Sequence, residues 1–387
     1  AEHSIIYQLR ADEPDGPVIK EGFVSQYRED WDVRGDGKKY IKSHGHPKVI
    51  GVPRGAIGDD GTPLPAQNVF MATWYIIAAV RDPETGEVRR VGQNDLEARH
   101  FRLKDDESDI EWTTNQPVRF RERGFETGPA VCSLEPAQNA VNQWLRPPTP
   151  LNAEKTRWAD ALHFPGGIAA IEMAFDRVSK RYEWVRTGPL VQEKVRGKLM
   201  EGSLNQLGPN DWVLAARARG HHWGKGVFGY CVAWFRTTDP LSGFGEPTYT
   251  AIPSSYCPKP AHLCADGVLR VFSGHIGGGT TKRNPLFCWD IDPDQGFATS
   301  HQRTILDMKG KIAFPMVGFT KLSPVKNNRQ ILTLRVSSMS QRQATEQFPA
   351  LTREELDHCG AYHSVITFDP PVPDTWSFGE AVSRASK

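Results

Sequence analysis

The 387 residues carry Lys+Arg 47 against Asp+Glu 46, a formal net charge of +1, which removes the long-range pull toward nucleic acid or an anionic membrane surface. Hydrophobic residues make up 39%, with 35 Gly, 29 Pro and 11 Trp, a composition that suits many short strands joined by turns and leaves little room for long helices. No apolar run approaches the ~20 residues of a bilayer span and the opening AEHSIIYQLR lacks a signal-peptide core, so the expectation is a soluble chain with neither a membrane nor a nucleic-acid partner, secreted or periplasmic.

The first element, SIIYQLRADEPDGPVIKEGF, reads as strand, turn and strand, half of a four-stranded blade. HPKVIGV and NVFMATWYI follow across the turn-rich loop 55–67, and LEARHFRLKDDESDIEW adds a second hairpin ending at Trp112. The same alternation returns four times. GPAVCSL, AVNQWLR and a hairpin ending at Trp184 form one copy; EGSLNQLGPND, WVLAARAR and a hairpin ending at Phe244 form the next. KPAHLCADG, VLRVFSG and a hairpin to Phe297 come third, then FPMVGFTKL, QILTLRV and a hairpin to Trp376. These units start near residues 46, 128, 201, 259 and 314, and none can bury its apolar face alone.

The expected fold is therefore all-β, a single β-propeller domain over 1–387. The N-terminal strands close the ring with the C-terminal ones, giving six four-stranded blades, with five as the alternative. Residues 341–361 are expected to be a helical loop insert, because Thr352 and Glu355 have capping-box spacing. Six cysteines form no CxxC pair, and buried free thiols are expected in preference to bridges.

In a propeller the first strands line the axis, so residues opening them and residues ending the second strands converge on one mouth. That places His46, Glu201, Lys259 and Phe314 with Arg217, Arg219, His275 and Arg283, and Asp95 opens a third strand that reaches the same mouth. His44 alternates with His46 on one extended segment, His222 lies on a loop, and Trp74 and Trp223 could stack on sugar rings. No cofactor is expected; a metal held by these histidines is the disfavoured alternative, since spacing across blades cannot establish convergence on an ion. GHIGGGTTKRN lacks GxxxxGK[ST] and reads as a glycine loop carrying Arg283.

Asp239 precedes Phe244 by five residues, as Asp292 precedes Phe297, and Thr375-Trp376 looks like the end of the same box. With the order Asp95, Glu201, Arg217, Arg283, these residues resemble the sialidase-like (BNR/Asp-box) β-propeller glycosidases in layout over residues 44–376. The resemblance implies an exo-acting glycoside hydrolase on an acidic or sulfated oligo- or polysaccharide. It departs at two places: His46 stands where that family presents its first arginine, and Phe314 where it places a nucleophilic tyrosine. Sialic acid and a tyrosine-linked intermediate are therefore not implied.

The remaining residues still form a chemical set. Asp95 and Glu201 supply two carboxylates for glycoside hydrolysis, and the guanidinium groups suit a sugar carboxylate or sulfate. Two other readings stay open: a polysaccharide lyase in which His46 removes a proton beside an Arg-neutralised uronate, and a non-catalytic glycan- or protein-binding propeller.

Overall fold

A computed structural model of the protein describes residues 5–10, 16–26, 28–31, 39–53, 55–58, 60–64, 69–114, 118–120, 148–152, 154–164, 167–191, 198–219, 230–254, 259–274, 283–339, 346 and 349–374. The fold is all-β, built from antiparallel meanders. Among the described residues the named helical elements are a 3₁₀ turn, Pro293–Gln295, and one short helix, Arg353–Asp357. That helix carries the expected capping box: Thr352 accepts from the Glu355 backbone, and Glu355 reaches back to the Thr352 backbone.

The chain resolves into two compact units, the first comprising Ala1–Pro165 and Ala169–Pro189, the second Gly166–Ile168 and Leu190–Ser377. In the first unit, Ile5–Arg10 pairs with Val18–Ser25 as a ribbon. A six-stranded sheet runs Arg28–Trp31, Tyr40–Gly51, Val69–Arg81, Val88–Leu103 and Ile110–Trp112, with Val118–Phe120 on Val88–Leu103. A further sheet orders Arg181–Thr187, Gly167–Asp176, Arg157–Phe164 and Thr149–Pro150. Ile50, Met71 and Leu96 of the first sheet pack with Trp158, Leu162, Met173 and Trp184 of the second in one core.

The second unit has three sheets in chain order. Lys198–Gly208, Asp211–Arg219, Tyr230–Thr237 and Thr248–Ser254 form one; Ala261–Leu263, Leu269–Gly274, Leu286–Asp292 and Ala298–Leu306 the next; Pro315–Lys326, Arg329–Ser338 and Gly360–Thr367 the third. Val213, Leu214, Ala215 and Ala216 are all 0% exposed, which explains why WVLAARAR reads as an unbroken apolar run: this strand is covered on both faces. Asn327 and Asn328, both at positive φ, make the two-residue turn between Pro315–Lys326 and Arg329–Ser338, where a primed turn matches strand twist.

Polar side chains tie neighbouring first strands together. Ser203 Oγ accepts from the Ala261 backbone at 3.0 Å, Asn205 Oδ1 accepts from Leu263 at 2.9 Å, and Asn205 Nδ2 donates to the Ala261 carbonyl at 3.1 Å. His262 Nε2 lies 3.3 Å from the Thr320 carbonyl oxygen. The pairs Ser203–Ala261, Asn205–Leu263 and His262–Thr320 share a sequence offset of 58, so a fixed register relates successive first strands.

Strand direction alternates within each meander, so the start of the first strand, the end of the second and the start of the third share one edge. Glu201, Arg217, Lys259 and Arg283 occupy that edge of the second unit.

Several expectations need correction. The sheet expected to start at 128 is built from Thr149–Pro150 and Arg157–Phe164, and residues 128–147 lie outside the described residues. Phe314 precedes its strand, which begins at Pro315, and Lys259 precedes Ala261–Leu263. His46, Asp95 and Glu201 do not open strands but sit inside them. The aspartate-to-aromatic spacing is five residues at Phe244 and Phe297, six from Asp106 to Trp112 and eight from Asp176 to Trp184. Trp376 lies outside the described residues.

Candidate functional site

The Asp-box residues serve the turns. Asp292 Oδ1 accepts from Asp294 and Gln295 backbone N–H groups, and Asp239 accepts from Leu241 N at 3.0 Å and from the Ser242 hydroxyl. Such Asx turns fix a hairpin without further chemistry. Phe297 then stacks on Trp234 with centroids 4.7 Å apart, locking one sheet to its neighbour.

Chemistry gathers at β-bulges instead. Between the pairs Met200↔Arg217 and Ser203↔Ala215, two residues, Glu201 and Gly202, oppose the single Ala216. Glu201 takes a left-handed backbone, φ 55°, which costs a non-glycine residue about 1–2 kcal/mol. A Cβ on Gly202 would come within 3.0 Å of Ile168 and 3.1 Å of Leu214, so a small residue is required beside it. The same two-against-one pattern recurs at His46-Pro47 between Gly45↔Tyr75 and Lys48↔Thr73, and at Phe319-Thr320 between Gly318↔Arg335 and Lys321↔Thr333. Asp95 is likewise the extra residue between the pairs Tyr75↔Leu96 and Ile76↔Asn94. Bulges re-aim a side chain out of the pleat, and they concentrate beside active sites.

Glu201 is 5% exposed, and its Oε2 lies 2.9 Å from Arg217 Nε in a buried ion pair. Arg217 Nη2 also contacts Met200 Sδ at 3.4 Å. Arg283 is buried and bridges Met316 by its backbone. Gly274 admits this approach, because a Cβ there would fall 2.5 Å from the Arg283 carbonyl. The Arg283 guanidinium lies 5.8 Å from the Phe319 ring centroid, with Arg335 4.5 Å from the same ring. Lys259 is fully buried.

Burial pushes the Glu201 carboxyl above the usual carboxylate range, opposed in order by Arg217, Arg283 and Lys259. A group with a raised folded pKa contributes stability below its unfolded pKa and loses it as pH rises toward the folded value. Wild type is therefore expected to lose stability relative to Glu201→Gln from about pH 4.5 upward, by about 1.4 kcal/mol for each pH unit climbed until the folded carboxyl itself ionises. Urea unfolding of both proteins across pH 4 to 8 checks this; parallel curves would contradict it.

The other expected residues fall into three groups. His44 is 2% exposed with Nε2 3.1 Å from Ser25 Oγ, and the bulge breaks the alternation that would align it with His46. The backbones of His46, Trp74, Asp95 and Arg219 are placed in strands; Tyr75, next to Trp74, lies between the His46 and Asp95 bulges, which flank Val69–Arg81 on its two sides. His222, Trp223 and His275 lie outside the described residues.

Three features escape a reading of the sequence. Lys48, with a fully buried side chain, pairs with Asp160 at 2.7 Å, and Lys42 donates to both Glu97 oxygens at 2.8 Å. Phe319, not Phe314, occupies the bulge position equivalent to Glu201; a shared spacing, GHPK, MEGS and GFTK, is the signal that could have revealed it. As expected of unbridged thiols, Cys264, Cys288 and Cys359 form no disulfide. Burial pushes the Cys264 thiol up to about 11 and the Cys288 thiol up to about 12, so neither supplies a thiolate nucleophile at neutral pH.

No protein-family model and no curated protein matches the sequence. In structure the chain is similar to a Dyadobacter fermentans protein of unknown function, with 10% identity and TM-score 0.48 over 76% of this chain and 73% of that one. It is also similar to the Hadza microbial sialidase Hz136 (12%, TM-score 0.44, 85% of this chain and 58% of that one). Trypanosoma rangeli sialidase is comparable (11%, TM-score 0.41, 87% and 55%). The chain thus spans a little over half the length of these two sialidases.

Proposed function

We propose that the chain is a glycoside hydrolase acting on an acidic or sulfated glycan. The carrying observation is Glu201: a carboxylate in a left-handed bulge, buried beside Arg217 and Arg283 and held above its ordinary pKa. A carboxylate tuned upward is suited to take a proton near neutral pH, the task of a general base. The guanidinium groups exceed what one carboxylate neutralises and suit a sugar carboxylate or sulfate. The sugar class itself comes from the Asp-box spacing and the order of site residues.

In this mechanism Glu201 activates water as the general base. Phe319 and Phe314 carry no nucleophilic oxygen, so water attacks directly or a carboxylate takes the nucleophile's place.

A panel of neutral, uronate-containing and sulfated oligosaccharides tests the reading. Hydrolysis releases reducing sugar, a lyase produces a conjugated double bond visible in the ultraviolet, and binding with neither product marks a lectin-like protein. Only the first supports the proposal. Arg283→Ala is expected to weaken an anionic ligand by about 1.5 to 3 kcal/mol and leave a neutral analogue nearly unchanged, measured by calorimetry. Equal losses for both would remove the anion from the proposal.

A further inference from the structure

We infer that Lys259 is the positioning residue of Glu201, a fixed cation held at the entry to the neighbouring first strand. The register carries the assignment. Ser203 meets Ala261 and Asn205 meets Leu263 at an offset of 58. Lys259, two residues before Ala261, stands at the same offset from Glu201, two residues before Ser203, and is one of the charges acting on the Glu201 carboxyl. Lys259 is 0% exposed, a burial that lysine tolerates only with compensation, and Glu201 is 5% exposed. Two buried groups of opposite charge lower each other's cost of burial.

This arrangement divides the cations by exposure. Arg217 and Arg283, at 7% and 8%, keep a small accessible surface, whereas Lys259 keeps none and cannot touch a ligand. Lys259 therefore acts through Glu201: it holds the carboxylate in its charged form from within, while the two guanidinium groups remain for the ligand. The charged groups acting on Glu201 are Arg217 from the second strand of its own sheet, Arg283 from the loop before the following sheet's third strand, and Lys259 from the segment entering the adjacent first strand. For turnover the inference rests on the base role proposed above; for the state of Glu201 it does not.

The test needs no substrate. Protein labelled with [δ-13C]glutamate is titrated by NMR, the Glu201 resonance being the one absent from Glu201→Gln. Lys259→Met, or the longer polar Lys259→Gln if the first fails to fold, is expected to raise the Glu201 midpoint by about 1 to 3 pH units, and Lys259→Arg to leave it near wild type. An unchanged midpoint in a folded neutral variant, or an equal shift in Lys259→Arg, overturns the inference. A shifted midpoint without glycan turnover in wild type would sink the hydrolase reading alone; turnover without the shift would sink the role of Lys259 alone.

Discussion

Glu201→Gln is expected to lower kcat on the cleaved glycan by a factor of about 10² to 10⁴, the usual contribution of a positioned general base. Glutamine keeps the volume and the left-handed backbone demand of the bulge and removes only the titrating oxygen. Substrate affinity should change far less, because Arg217 and Arg283 remain. The acidic limb of the wild-type pH profile should vanish with the carboxylate, since that limb reports the proton Glu201 must lose before it can act. Steady-state kinetics across pH on both proteins measure this. Near-normal turnover in the variant would remove Glu201 from the mechanism.

Placing Glu201 in a bulge also explains how the site is partly legible in the sequence. Strand alternation locates four of the five meanders, because apolar period and turn residues are local properties: Asp292 capping its turn and the Thr352–Glu355 box appear where spacing puts them. What alternation cannot register is a bulge, which inserts one residue and reverses the face of everything beyond it. Alternation accordingly makes strand openers of His46, Asp95 and Glu201, although each is the extra residue of an interior pair. The same blindness makes Phe314 a strand opener although it precedes Pro315–Lys326, and it passes over Phe319 in its bulge.

Buried ion pairs are invisible for a different reason. Lys48 and Asp160 are 112 residues apart, and nothing local in GHPKVI or RWADALHF says that the two strands meet. The apolar run GPAVCSL competes locally for the place of that unit's first strand, so even the hairpin holding Asp160 is displaced when only the sequence is read. Pairings set by tertiary register leave no periodic trace in the sequence. The offset of 58 that relates Glu201 to Lys259 becomes visible only when the strands are laid side by side.

Removing one member of the Lys48–Asp160 pair is expected to destabilise the first unit by about 3 to 5 kcal/mol, the range for leaving a buried charge without its partner. The side chains are 0% and 4% exposed, so neither can turn to water for compensation. Asp160 is further held by the Ala161 backbone, donating to Oδ1 at 2.8 Å, which leaves the lysine to balance the other oxygen. Lys48→Met should therefore strand a carboxylate, and Asp160→Leu an ammonium, with losses of similar size in denaturant unfolding. The double variant Lys48→Met with Asp160→Leu should recover much of each loss, because a buried pair exchanged for apolar side chains of similar volume is close to neutral. Strict additivity of the two single losses would show that the charges do not interact, and losses below about 1 kcal/mol would show that the pair behaves as an exposed one.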